Sequence, residues 1–269
     1  MTATPPAWTD EHLADPHAVA DKAQRVRQMF SAIAPTYDLN NRLHSLWRDQ
    51  SWRRAAVEMA RVQPADIVLD VACGTGDLAM AFANGRQRAA GGAPAGASQG
   101  PSRGGGRRVL GVDFTCEMLT IARDKAEQMG TAPPLYHAGD AMRLPVADQS
   151  VDIVSIAFGI RNVARPEAAF REFHRVLRRA GRLVILEFGL PTNRLLRGLY
   201  NLYFRHVLPR TAALIARDRS GAYKYLPQSV HTFLDRDAMM AMLRAAGFSD
   251  TTAKPLTAGI ALIYRGVKS

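Results

Sequence analysis

Apolar residues recur at helical spacing over 17–34 and again over 44–63, predicting two opening helices joined by a loop at Pro35-Thr36-Tyr37-Asp38. The pattern then shortens. Ile67 to Val71 is a nearly all-apolar run ending in glycines, as expected of a buried strand, and a helix follows from Asp77 to Ala83. Arg108–Asp113, Leu135–Gly139, Val151–Phe158 and Leu183–Phe188 read as further strands. Helices are predicted over 115–129 and 166–179. Strands alternating with helices imply right-handed crossovers and a parallel sheet. From Arg194 the pattern is mostly helical, and it closes on Ser249–Pro255 and Ile260–Arg265, an expected antiparallel pair. The fold class is therefore α/β: a doubly wound, mostly parallel sheet of seven strands, with N-terminal helices and a late helical insertion at about 193–232. Residues 1–63 are expected to form a helical extension and residues 64–269 the main domain.

Composition interrupts this picture at one place. Residues 85–108 hold eight glycines, two prolines and five arginines and no acid, so they supply +5 of the formal net charge of +11. Such a stretch buries too little apolar surface to offset its ordering entropy and is expected to be a disordered surface insert. Its Ser102–Arg107 portion is similar to arginine-glycine RNA-binding tails, but it lacks aromatics on which bases stack, which favours a plain linker. The remaining positive balance suits an anionic partner or an anionic membrane surface. Two cysteines, Cys73 and Cys116, rule out a disulfide framework and point to a reducing compartment. No uninterrupted apolar stretch long enough to span a bilayer is present, and the N-terminus lacks a secretory pattern, so a cytoplasmic location is expected. The seven histidines show no ligand spacing, and no metal is assigned.

Candidate chemistry gathers where strands end. In a doubly wound sheet, ligands bind outside the carboxyl ends of the strands. Asp70-Val71-Ala72-Cys73-Gly74-Thr75-Gly76-Asp77 lies there, between first strand and first helix. Gly74 and Gly76 allow torsions other residues avoid and close approach of a ligand. Gly74-x-Gly76-x-x-Ala79 also satisfies a dinucleotide fingerprint, but Asp70 and Asp77 put two carboxylates where a pyrophosphate would be repelled, favouring a cationic ligand such as a sulfonium. Asp113 ends the second strand, where a carboxylate can accept both ribose hydroxyls. Asp140 follows the third, where a carboxylate and a backbone amide could read an adenine edge. Each acid taken singly could equally be a helix cap. Cys73 has no evident base and reads as a loop residue.

These residues resemble class I S-adenosylmethionine-dependent methyltransferases and, more narrowly, the ubiquinone/menaquinone biosynthesis C-methyltransferase family. The resemblance runs over roughly residues 24–268 apart from the insert. It is carried by Met29-Phe30 through Tyr37-Asp38-Leu39-Asn40-Asn41, by Trp52-Arg53-Arg54, the glycine loop, and Gly111-Val112-Asp113-Phe114 with Met118-Leu119. It continues through Phe158-Gly159-Ile160-Arg161-Asn162-Val163, Arg175-Val176-Leu177, Leu186-Glu187-Phe188, His206-Val207-Leu208-Pro209, Tyr223-Lys224-Tyr225-Leu226 and Leu256-Thr257-Ala258-Gly259. The resemblance implies S-adenosylmethionine as cofactor and carbon methylation of a polyprenylated quinol, demethylmenaquinol to menaquinol, or the equivalent benzoquinol of ubiquinone biosynthesis. It carries cofactor contacts onto Thr75, Asp113, Asp140 and Ala141, beside Asp70, Gly74, Gly76 and Phe114 of the same loops. Ala157 stands where a serine is sometimes found. Other departures are Asn40 for methionine, Asp49 for histidine, and Arg179-Ala180 for Pro-Gly.

For the chemistry, Arg161 is the candidate catalytic group, a permanent cation able to stabilise charge on a quinol oxygen. Its alternative is an ion pair with an acid such as Glu187. Asn162 is a candidate partner of the headgroup, and the resemblance puts Tyr37 and Asp38 on an N-terminal lid over the ligand. Arg194 to Arg205 mixes apolar and aromatic residues with three arginines, which suits peripheral contact with an anionic membrane or, equally, a core helix with snorkelling arginines. An NAD-dependent oxidoreductase and an RNA-binding protein are the competing classes. Methylation of nucleic acid is not expected, because no Asn/Asp-Pro-Pro-Tyr segment is present.

Overall fold

The structure is a computed structural model that describes residues 7–9, 11–91, 108–129, 132–191, 193–203, 211 and 221–269. Three helices come first: α1 (Lys22–Ile33), α2 (Tyr37–His44) and α3 (Arg48–Ala60). The doubly wound unit follows as β1 (Val68–Val71), α4 (Asp77–Ala89), β2 (Val109–Asp113), α5 (Cys116–Glu127), β3 (Leu135–Ala138), β4 (Val151–Ala157), α6 (Pro166–Val176) and β5 (Leu177–Phe188). The chain then gives α7 (Arg194–Leu202), α8 (Ala222–Thr232), α9 (Arg236–Ala245), β6 (Phe248–Leu256) and β7 (Ala261–Lys268).

The strand order is β3-β2-β1-β4-β5-β7-β6. Strands β1 to β5 pair in parallel, with Val68 opposite both Val109 and Ile153, while β7 runs antiparallel to β5 and β6. The period-two rule divides each central strand between two cores. Val68, Ile153 and Val184 face Trp52, Ala56 and Val57 of α3 and Phe82 of α4. Their neighbours Leu69, Val154 and Ile185 face Phe170 and Phe173 of α6 and Leu243 of α9. A third cluster joins Val26, Met29 and Ile33 of α1 to Tyr200 of α7 and Tyr225 of α8, with Trp8 stacked on Tyr225 at 4.3 Å.

The expected seven-stranded doubly wound architecture is present, and four local expectations need correction. The loop at 35–38 is a single 3-10 turn over Ala34–Thr36 that leads straight into α2. The second expected helix starts four residues late, because Leu46 and Trp47 adopt left-handed φ of 51° and 58° between α2 and α3. The 166–179 helix stops at Val176, and β5 begins at Leu177 with a bulge before Arg182, Ala180 taking a φ of 58°. Finally, α4 runs to Ala89, so residues 85–91 are not part of a disordered insert, and residues 92–107 lie outside the described residues.

Gly85 explains the error in that last boundary. It is buried, and a Cβ there would meet Val57 Cγ1 of α3 at 2.6 Å. Its small size serves helix packing rather than chain flexibility. Gly85→Val is expected to cost about 1–3 kcal/mol by overpacking, read as a lowered midpoint in urea. An unchanged midpoint would return residue 85 to the insert.

Candidate active site

The sheet reverses direction of winding between β1 and β4, and a crevice opens beyond their carboxyl ends, as expected at such a switch point. Two non-glycine residues with left-handed backbone stand there, Ala72 after β1 (φ 49°) and Phe158 after β4 (φ 55°). Gly159 lets these two turns meet, since a Cβ on it would lie 2.7 Å from Cβ of Ala72. Such torsions cost energy and collect at functional sites.

A small cavity lies in this crevice, with a volume of about 90 Å³, lined by Gly74, Asp113, Phe114, Asp140, Ala141, Ala157 and Asn162 among others. Gly74 has a φ of 54° and open space where a Cβ would sit, so the backbone is bare toward the cavity. The Asp113 carboxylate is held on both oxygens, by the Gly74 amide at 2.8 Å and the Thr115 amide at 2.8 Å. Burial nonetheless raises its pKa, against those two backbone donors. Asp140 is exposed on the opposite rim, its Oδ1 accepting from the Met142 amide at 2.8 Å.

A second, larger cavity of about 540 Å³ adjoins the first and shares Phe30, Tyr37 and Phe158 with it. Its lining is mainly apolar and aromatic, with Met29, Ile33, Trp52, Phe188, Leu226 and Ile260. Asp49, Arg53 and Arg161 supply charge. Arg161 donates from Nη1 to Glu187 Oε1 at 2.6 Å and to the Phe158 carbonyl at 2.7 Å. The ion pair with Glu187 is thus formed, and the same arginine still lines the cavity. Its guanidinium lies 5.2 Å from the Phe188 ring centroid, while that of Arg53 lies 5.6 Å from that of Phe158. Asn162 is fixed between the Phe158 carbonyl at 3.1 Å and the Tyr225 hydroxyl at 2.9 Å. Lys22 of α1 ties this loop down by donating to the carbonyls of Arg161 and Val163, both at 2.8 Å. Burial, and then Arg161, lower the Lys22 pKa to about 8.

Several residues expected at the ligand are engaged elsewhere. Asp70 lines neither cavity; it lies within the sheet, accepts from Ser155 Oγ at 2.7 Å, and burial raises its pKa to about 7. Asp77 is bound to Lys125 at 2.5 Å and Arg42 at 3.3 Å; burial pushes its carboxyl upward, but Arg53, Lys125 and Arg42 hold it below the usual range. The expectation that Asp70 and Asp77 present charge to a cation therefore fails, because Asp70 is buried in the sheet away from both cavities and internal cations take Asp77. Thr75 donates to Asp38 Oδ1 at 2.6 Å, and Asp38 pairs with Lys125 at 2.7 Å, so both tie the N-terminal helices to the glycine loop from behind. Gly76, at φ 84°, packs against Tyr136, whose hydroxyl a Cβ would meet at 2.3 Å. Tyr37 is the one expected lid residue that lines both cavities.

The sequence reading missed the polar residues of the larger cavity. Asp49 and Arg53 stand one turn apart on α3 and bond at 2.8 Å, and His44 of α2 bonds Tyr203 at 2.8 Å. The available signal was helical spacing: Asp49, Trp52, Arg53 and Ala56 fall on one buried face, so two charges on that stripe must meet each other. Among the described residues no group of three or more His, Cys, Asp or Glu is disposed to hold a metal.

This sheet order, with a glycine turn after β1 and an acid ending β2, is that of a class I S-adenosylmethionine-dependent methyltransferase. In keeping with that, the structure resembles a crystallised S-adenosylmethionine-dependent methyltransferase of Thermotoga maritima, described as a possible histamine N-methyltransferase, with a TM-score of 0.58. That match covers 91% of this chain and all of the other, and at 18% identity it speaks to fold alone. Residues 18–268 match the ubiE/COQ5 methyltransferase family, to which this chain belongs. A demethylmenaquinone methyltransferase of Thermus thermophilus is 44% identical over 88% of this chain and 99% of its own length. A ubiquinone/menaquinone biosynthesis C-methyltransferase of Geobacter sp. (strain M21) is 40% identical over 94% of this chain and all of its own.

Proposed function

We propose that the protein methylates a ring carbon of a polyprenylated quinol, converting demethylmenaquinol to menaquinol. The observation that carries this reading is the pairing of cavities, a large, mainly apolar one that adjoins the small crevice at the strand ends and shares Phe30, Tyr37 and Phe158 with it. The names of the relatives support the substrate class, and one of them covers ubiquinone biosynthesis as well, so the equivalent benzoquinol is the second candidate.

The crevice residues fit S-adenosylmethionine. Asp113 has lone pairs to spare beyond its two amide bonds for the ribose hydroxyls, Asp140 and the backbone at Ala141 suit the adenine edge, and Gly74, Phe114 and Ala157 form the apolar remainder. Thr75, Gly76 and Asp70 hold the loop's shape from behind. When bound, the cofactor supplies an electrophilic methyl group. The protein's part is positioning and exclusion of water. Helices α1 and α2 and the turn between them serve as the lid, with Phe30 and Tyr37 pressing the ring against Phe158. Arg161, already held by Glu187, stabilises negative charge on a quinol oxygen, while Asn162, bonded to the Phe158 carbonyl and the Tyr225 hydroxyl, fixes the loop beside the crevice rather than the headgroup. Mass analysis of quinones after incubation with labelled methyl donor tests the reading. Label in the naphthoquinone is expected, label in the benzoquinone selects the alternative, and label in neither defeats both.

The prenyl tail of such a substrate resides in a bilayer, and the outer rim of the large cavity suits one. Among the described residues no helix is long and apolar enough to cross a membrane. Leu46, Leu196 and Leu199 line the cavity yet are exposed, and Trp47, Leu195 and Leu202 extend the apolar rim. Arg48, Arg194 and Arg197 are exposed around it. We therefore assign this rim to an anionic bilayer surface. Trp47→Ser with Leu199→Ser is expected to reduce cosedimentation with anionic vesicles several-fold while leaving S-adenosylhomocysteine affinity unchanged. Equal sedimentation of variant and parent would count against the assignment.

A further inference from the structure

The large cavity contains Asp49 as its one carboxylate among the described lining residues. It is buried, and helix α3 aims it inward on the same face as Trp52 and Arg53. Its position is fixed from three sides. Oδ1 accepts from Ser45 Oγ at 3.0 Å, and Oδ2 accepts from Gln50 Nε2 at 3.0 Å and Arg53 Nη1 at 2.8 Å. Arg53 in turn lies over the ring of Phe158, the residue shared by the two cavities. The carboxylate thus stands one side chain away from the junction where a ring carbon and a methyl group would meet. A buried ion pair adds little net stability over apolar residues of similar volume, so stability alone does not account for this one. This one faces a cavity.

We propose that Asp49 is the proton acceptor for the quinol hydroxyl, with Arg53 holding it aligned. The proposal rests on the methyl-transfer reading and deepens it. As the ring carbon forms its new bond to the methyl group, it uses an electron pair that the hydroxyl oxygen replaces. The sulfur keeps the pair of the broken carbon–sulfur bond. Asp49 takes the hydroxyl proton as this bond forms, so the oxygen passes through partly anionic character, which Arg161 stabilises, and becomes a carbonyl. The ring-carbon proton is lost afterwards as the ring regains aromaticity and its hydroxyl, so one proton is released overall. Arg161 cannot play this part, because a guanidinium has no lone pair to offer.

The charged and titratable groups around Asp49 are Arg53 on its own helix, Arg42 and His44 on α2, Asp77 of α4 through the shared Gln50, and Tyr37 and Arg161 on the cavity wall. His44 is the rival base. Its Nε2 is buried without a partner, and burial lowers its pKa.

The test compares Asp49→Asn with Asp49→His. Both remove the negative charge beside Arg53, so they share any structural cost and differ in whether a base remains. For Asp49→Asn, kcat should fall about a hundredfold or more, the usual worth of a general base, with S-adenosylhomocysteine Kd within about twofold of the parent. Asp49→His should recover a substantial part of that loss, with the acid limb of the pH–rate profile moved up toward the histidine range. Binding gives an independent readout: the parent should prefer a naphthalenediol to its dimethyl ether, and the preference should shrink about tenfold in Asp49→Asn. Equal impairment of the two variants, or an acid limb that stays in place in both, would overturn the proposal and, in the latter case, turn attention to His44. A parent enzyme that methylates no quinol would instead defeat the function itself.

Discussion

Replacing Glu187 by alanine is expected to lower folding stability by about 3–5 kcal/mol, the usual cost of stranding one member of a buried ion pair. Arg161 and Glu187 have side chains only 5% and 2% exposed, so water cannot take over either charge. Glu187 also accepts from the Phe188 amide at 2.9 Å and the Arg161 amide at 3.4 Å, which would both lose their acceptor. Arg161 already leaves its Nε buried without a hydrogen-bond partner. The double variant Glu187→Ala/Arg161→Ala should therefore be more stable than the single one, since no uncompensated charge remains. It should also be inactive, because the cavity has lost the cation that Arg161 provides. Urea denaturation of the single and double variants measures both effects. A cost below about 1 kcal/mol for Glu187→Ala would show that water reaches the pair.

The second large effect is on binding. Asp113→Ala is expected to weaken S-adenosylhomocysteine by about 1–3 kcal/mol, up to roughly a hundredfold in Kd. The variant loses the acceptor for the ribose and also frees the Gly74 and Thr115 amides that hold the glycine turn in place. Because burial raises the Asp113 pKa, parent affinity should decline on acidification earlier than an exposed carboxylate would dictate. Calorimetric titration across pH reads both predictions. Unchanged affinity in Asp113→Ala would remove the ribose role.

The sheet was legible from the chain because β1, β4 and the 183–188 part of β5 are largely buried on both faces and read as nearly all-apolar runs. The boundaries that failed were decided by contacts between distant segments. Gly85 reads as flexible beside other glycines, yet its lack of a side chain is what lets α4 approach Val57. Leu46 and Trp47 reverse the chain with left-handed torsions that nothing in their residue types announces. At the site, proximity to the strand ends singled out Gly74, Asp113 and Asp140 as candidates for the cofactor, and all three line the small crevice. It misjudged Asp70 and Asp77, whose partners Ser155, Lys125 and Arg42 come from elsewhere in the chain, while the family resemblance put Thr75 and Asp38 at the ligand although they bond each other. Glu187 was foreseen as a partner of Arg161, and Asp49 was noticed only as a departure from the family pattern. What periodicity cannot convey is which of two buried charges faces a cavity and which faces a partner.

The most direct test of the account is a crystal structure with S-adenosylhomocysteine and a non-reacting demethylnaphthoquinol analogue bound together. The adenosine should lie between Gly74 and Asp113, with the sulfur pointing toward Tyr37 and the aromatic ring seated between Phe158 and the Asp49–Arg53 pair. A ring found outside the large cavity, or a nucleoside bound away from Asp113, would contradict it.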